Sequence, residues 1–265
     1  APDNPYRVTN LPQNGSDNDF SPVLLDDNTL VVSSDRAQSE GKDQYKWTGE
    51  AFFDLYQWDL TAETVEKYDA PFNNAYHQGT PSFNADRTMV LFTQCGSGQK
   101  IAVDYCQIMI SYKEGDAWST PAVVDLGSAE NNYVHHVLSP DGRFLIFASD
   151  KNGGFGSYDL YFSNRLGDAD ERKWSKPVNM GNRINTKRNE VFPFVTGEQG
   201  EVLYFASDGH PGMGGLDVFR TEQVAERWAY PNNLEAPMNS GGDDFGLIVQ
   251  SVDTSGNING FFSSN

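Results

Sequence analysis

Residues Leu145–Tyr161 read Leu-Ile-Phe-Ala-Ser-Asp-Lys-Asn-Gly-Gly-Phe-Gly-Ser-Tyr-Asp-Leu-Tyr. Residues Leu203–Phe219 repeat them as Leu-Tyr-Phe-Ala-Ser-Asp-Gly-His-Pro-Gly-Met-Gly-Gly-Leu-Asp-Val-Phe. Ser149 and Ser207 lie 58 residues apart and Ser207 and Ser264 lie 57 apart, while Ser34 precedes Ser149 by 115, two such periods. Trp118, Trp174 and Trp228 each stand three residues ahead of a proline, Pro121, Pro177 and Pro231, and so mark the same period. A fixed period of this size built from short strands is the signature of propeller blades.

Within one period the pattern is strand, turn, strand, glycine-rich loop, strand, then Trp-x-x-Pro. Ser139-Pro-Asp-Gly-Arg143 supplies a turn, because proline sets φ, aspartate bonds the local backbone and glycine takes positive φ. The runs after such turns, Phe144–Ala148 for one, are short, apolar and bounded by turn residues, as buried strands are. No long helix is expected. First strands centre on Phe20, Thr80, Val137, Phe192 and Gly246. The fold class predicted is therefore all-β: one β-propeller domain over residues 1–265, five blades of four-stranded antiparallel sheet, with six as the alternative. The fifth copy stops at Phe261-Phe-Ser-Ser-Asn265, short of a third strand. The last repeat thus reads as incomplete: either the domain is excised from a longer chain, or N-terminal residues close the last blade.

A net charge of −18 makes nucleic acid an unsuitable partner, since phosphate contacts need a positive surface. No apolar run approaches the ~20 residues of a membrane helix. Cys95 and Cys106 flank one loop between strands expected to be antiparallel neighbours, so they are expected to be disulfide-bonded, which implies an oxidising compartment. No second Cys or His pair sits at metal-ligand spacing.

The motif Ser-Pro-Asp-Gly-x-x-Leu-Ile-Phe-Ala-Ser-Asp, followed by Tyr-Asp-Leu-Tyr, resembles the WD40-like, TolB-type propeller repeat. Trp174-Ser-Lys-Pro-Val-Asn-Met-Gly-Asn-Arg-Ile-Asn-Thr186 and Asn189-Glu-Val-Phe-Pro193 resemble a branch found in OmpA-associated envelope proteins of Bacteroidetes-like bacteria. The cysteine-bearing second copy is similar to the propellers of PorE-type periplasmic lipoproteins of the type IX secretion system. The resemblance implies a non-enzymatic, periplasmic, outer-membrane-associated propeller that binds protein, accessory to type IX secretion and protein transport or to a peptidoglycan-associated assembly. The partners expected are a protein of the cell envelope and, at the channel mouth, a peptide or glycan. No cofactor is expected beyond a structural cation.

The recurring Asp35, Asp150 and Asp208, and the strand-opening Asp54, Asp159 and Asp217, repeat in too many blades to form one catalytic centre and read as turn-builders. The starts of the innermost strands should ring one channel mouth. Asp19, Glu190 and Asp244 align there, Gln78 is their counterpart in the second copy, and His77, His135 and His136 lie close by. Carboxylates and imidazoles at one mouth suit a divalent cation, a basic side chain or a sugar. The alternative function is thus a carbohydrate-binding or glycoside-hydrolase-like propeller working with mouth carboxylates. The first repeat also carries a lengthened loop, Gln38 to Glu50, whose Tyr45 and Trp47 are candidate partner contacts.

Overall fold

The computed structural model describes residues 6–36, 53–69, 72–73, 77–96, 105–167, 173–225, 227–255 and 257–265. The first repeat folds as β1 (Asp19–Asp26), β2 (Thr29–Ser34), β3 (Asp54–Asp59) and β4 (Thr64–Lys67), each antiparallel to the strand before it. The second holds β5 (His77–Phe83), β6 (Met89–Cys95) and β7 (Cys106–Glu114), with the outer strand split into β8 (Ala117–Trp118) and β9 (Ala122–Val123). The third follows the same plan with β10 (Tyr133–Leu138), β11 (Phe144–Ser149), β12 (Asp159–Leu166), β13 (Lys173–Trp174) and β14 (Val178–Asn179). So does the fourth, with β15 (Glu190–Thr196), β16 (Val202–Ser207), β17 (Asp217–Val224), β18 (Arg227–Trp228) and β19 (Asn232–Asn233). The prolines of the Trp-x-x-Pro motifs sit between the two halves of each split outer strand. Proline has no N–H to donate to a ladder, so the strand breaks there.

These are four complete blades of a β-propeller. In fifth place stands a two-stranded sheet, β20 (Asp244–Val252) and β21 (Ile258–Ser264). The inner strands β1, β5, β10, β15 and β20 pack against one another in sequence, and β20 meets β1.

Alternation along each strand explains why the strands are apolar on both faces. Leu145 and Phe147 point into the cluster shared with the second blade, while Ile146 and Ala148 point into the cluster shared with the fourth. A period of two sends successive side chains to opposite faces, and each face has a neighbouring sheet. Three further clusters fill the remaining interfaces, including those on either side of the fifth sheet. The turn at Ser139 forms as its sequence dictates: the Ser139 hydroxyl donates to Asp141 Oδ1 at 2.7 Å, the Arg143 N–H donates to Ser139 Oγ at 2.9 Å, and Gly142 has φ of 70°.

Cys95 and Cys106 are disulfide-bonded across directly paired positions of β6 and β7. The bond closes a short loop, and the chain-entropy account assigns such a bridge about 3 kcal/mol.

Phe147 is fully buried between the second and third blades. Phe147→Ala should therefore cost about 3–5 kcal/mol, read as a drop in the urea midpoint; a loss below about 1 kcal/mol would mean that the interface repacks freely. Denatured, unreduced protein should titrate with no free thiol, and reduction should lower the unfolding free energy by about 2–4 kcal/mol.

Candidate functional site

Every inner strand carries a β-bulge at the same place, seen as register shifts at Phe20/Val23, Gly79/Ser82, Val134/Val137, Val191/Phe194 and Phe245/Ile248. The bulged residues Ser21, Thr80, His135, Phe192 and Gly246 all have positive φ, from 45° to 64°. Only the last is glycine. For a β-branched residue such as Thr80 this conformation is strained, and strain of this kind persists where surrounding structure over-determines it. The five residues line one central cavity of about 260 Å³.

The residue after the bulge is proline in three copies, Pro22, Pro81 and Pro193, and leucine in the fifth. The third copy departs, reading His135-His136. His135 stacks on Phe192 with centroids 3.7 Å apart, and Phe192 in turn lies 4.6 Å from Phe245. His136 is buried, its Nδ1 3.4 Å from the Thr93 hydroxyl, which lies 2.7 Å from that of Thr80. Burial pushes His135 down to about 3, helped by the neighbouring His136, and burial pushes His136 down to about 4. Both imidazoles are neutral at physiological pH. His135 Nδ1, His136 Nε2 and Ser21 Oγ have no hydrogen-bond partner among the described residues. Arg87, the one charged side chain among the described residues of the lining, is occupied: its guanidinium donates to the carbonyls of Leu24, Leu25 and Asn84. The cavity thus offers uncharged donors and acceptors beside proline and phenylalanine walls, a lining suited to uncharged groups.

The carboxylates expected at the mouth do something else. Asp19, Gln78, Glu190 and Asp244 do occupy equivalent positions, each two residues before the bulged one, and Tyr133 is their counterpart in the third blade. His135 and His136 are therefore not the counterparts of the carboxylates. None of the three acids lines the cavity. Asp19 is held by Arg36, with Nη2 at 2.8 Å and Nε at 3.2 Å, and the guanidinium rests over Trp58. Glu190 accepts from the Thr186 N–H, the Thr186 hydroxyl and the Ser207 hydroxyl, all within 2.8 Å. Burial raises its carboxyl above the usual range against the pull of those bonds. Asp244 accepts the Ser240 N–H at 2.5 Å. His77 is half-buried against Phe53, and its Nδ1 accepts the Phe53 N–H at 3.2 Å, tying the first blade to the second. Burial lowers its basicity too. Among the described residues no three His, Cys, Asp or Glu side chains converge to hold a metal ion. Tyr45 and Trp47 lie outside the described residues.

Asparagines that passed unremarked in the sequence organise the blades. Asn18, Asn132 and Asn189 each donate a backbone N–H and a side-chain amide to the carboxylate of Asp35, Asp150 and Asp208. The fifth sheet inverts the pair, with the Asp243 N–H donating to Asn265 Oδ1 at 2.7 Å. In the second blade His77 and Cys95 fill these positions, and Cys95 is bonded the other way, across to Cys106 of the third strand. The signal available in the sequence was the recurrence of Asn three residues before the bulged residue in the first, third and fourth copies.

No protein-family model matches the sequence, and no curated protein matches it. In shape the chain is similar to an alpha-L-arabinofuranosidase from Lactobacillus brevis, with TM-score 0.53 and 9% identity over 92% of this chain and 81% of that one. It is similar to 1,3Gal43A, an exo-beta-1,3-galactanase from Clostridium thermocellum, with TM-score 0.52 and 12% identity over 91% and 53%. TolB-type propellers are also among its structural neighbours: TolB from Acinetobacter baumannii has TM-score 0.48 and 12% identity, over 80% of this chain and 43% of that one. The fold is a β-propeller. The chain spans 43% and 61% of two TolB chains that it matches.

The neutral state of the channel histidines has a measurable consequence. An unfolded imidazole protonates near 6.5, whereas the folded ones resist protonation until about 3 and about 4. The unfolded state then binds more protons across that window, so stability should fall as pH drops below 6.5, by at most about 1.4 kcal/mol per pH unit for each group. Urea midpoints of wild type and His136→Gln between pH 7 and 4.5 test this: the variant should show the shallower decline. An identical slope would mean that His136 titrates normally in the fold.

Proposed function

We propose that this chain is a non-enzymatic, protein-binding scaffold propeller of the periplasm, associated with the outer membrane and accessory to type IX secretion or a peptidoglycan-bound assembly. We count it as a five-bladed ring whose fifth blade is represented by two inner strands. The Trp-Ser-Lys-Pro link and the cysteine pair of the second blade support the PorE-type branch, and the disulfide suits an oxidising compartment.

The observation that carries the reading is a pair of equivalent loop tips. Phe155 and Met213 are 51% and 54% exposed, at the same position in the third and fourth blades. Neither tip is loose. The Phe155 and Gly156 N–H groups donate to the Asp159 carboxylate, and those of Met213 and Gly214 donate to Asp217. The glycines on either side are required by space: a Cβ on Gly156 would run into the Arg188 carbonyl and one on Gly214 into that of Gly242. Large apolar side chains held outward on rigid backbone are what a contact surface needs. Meanwhile the mouth acids are engaged in holding Arg36 and the backbone, which speaks against the glycosidase alternative.

A photo-crosslinking residue at position 155 or 213 should give a discrete adduct with an envelope protein in native cells, whereas one at the exposed Val252 should not. Phe155→Ala with Met213→Ala should weaken that partner at least tenfold, for about 2 kcal/mol at a hot spot, and leave the melting temperature almost unchanged. Equal adducts from all three positions, or none, would overturn the reading.

A further inference from the structure

Buried polar atoms are almost always hydrogen-bonded, so orphans that border a cavity point to a ligand that the cavity takes up. Three residues of the central cavity carry such atoms. His135 Nδ1 and His136 Nε2 of the third blade and Ser21 Oγ of the first are buried and have no partner among the described residues. Ser21 and His136 are only 8% and 5% exposed. An imidazole nitrogen donates or accepts according to its tautomer, and a hydroxyl does both.

The wall beside them is apolar. Pro22, Pro81 and Pro193 contribute to it, as does Phe192, which stacks on His135. Arg87, the one charged side chain among the described residues of the lining, is committed to three carbonyls. A carboxylate, phosphate or ammonium group would therefore exchange its hydration for neutral partners only, which is costly. The net charge of −18 repels anions further. At about 260 Å³ the cavity is smaller than the roughly 300–1,000 Å³ usual for drug-sized ligands, so its occupant is small. Its lining reaches the exposed Ala85 and Pro140, in the β5–β6 and β10–β11 turns, where the Ala85 N–H donates to the Pro140 carbonyl at 2.8 Å. The open end thus lies on the face away from the strand starts that carry Asp19, Glu190 and Asp244.

We propose that the central cavity binds one neutral sugar ring, which enters past Ala85 and Pro140 and is recognised by Ser21, His135 and His136. The hydroxyls of such a ring both donate and accept, so they satisfy the two imidazoles in whichever tautomer these stand. Its C–H faces suit the proline and phenylalanine walls. An amide has a fixed donor end and a fixed acceptor end, and matches the three orphans less well. No carboxylate stands among the described residues of the lining, so the site binds a sugar without cleaving it. The ring is either a free monosaccharide or the terminal residue of a glycan. The proposal does not rest on the Phe155 and Met213 tips.

The test is saturation-transfer NMR of the 265-residue protein with D-glucose, D-galactose, D-mannose and L-fucose, each beside its methyl glycoside. Saturable binding of at least one is expected. Binding of the free sugar alone would make a monosaccharide the ligand, and equal binding of its glycoside would make it the end of a glycan. Ser21→Ala removes a hydroxyl without a partner, so it should melt like wild type yet weaken the sugar about fivefold. Ala85→Trp, at an exposed position, should keep the fold and abolish binding by blocking the entrance. The uronate and amino-sugar forms of the bound sugar should bind at least about tenfold more weakly. The Phe155→Ala, Met213→Ala variant should bind as wild type does. Failure of every sugar to bind would overturn the proposal, since the imidazoles would then face water alone. So would an unchanged affinity in either Ser21→Ala or Ala85→Trp, or equal binding of the charged forms.

Discussion

A sheet that is apolar on both faces cannot stand alone, and most of this structure follows from that constraint. Leu145 and Phe147 need a surface on one side, Ile146 and Ala148 need one on the other, and only adjacent blades supply both. Repeating the demand in successive copies bends the array round until the last sheet meets the first. The cluster joining Leu30, Val32 and Trp58 to Ile248 is where that happens. Burial is non-directional, so it explains the ring but not its register. Register comes from the polar clamps, Asn18–Asp35 and its counterparts, which fasten the ends of the two inner strands of a blade. In the second blade the disulfide fastens the second strand to the third instead.

The ring leaves a narrow centre, and the bulges decide what fills it. Each bulge forces one residue into positive φ and places it against the central cavity. Four of the five copies accept proline or leucine next to it; the third places two imidazoles there. Because the cavity wall is mostly apolar and buries them, the imidazoles lose their charge. The acids that make the protein strongly anionic sit elsewhere, or are consumed in holding Arg36, Thr186 and Ser240. Side chains not already committed to packing lie further out, at loop tips such as those of Phe155 and Met213.

Much of the architecture was legible from the chain alone because its determinants are local. The period, the Ser-Pro-Asp-Gly turn, the two-residue alternation and the cysteine pair each lie within a few residues or one hairpin, so spacing and residue type suffice to read them. The tertiary structure decided the rest. Whether Glu190 is a free mouth carboxylate depends on Thr186 and Ser207, one on a loop and one on a neighbouring strand. Whether His136 can carry a proton depends on the sheets that enclose it. Asn185 looks like any loop residue until its side-chain amide is seen bracketing Leu160 of the third strand. In each case the deciding partner comes from a different strand or blade, and only the closed packing of sheet on sheet brings it within hydrogen-bonding distance.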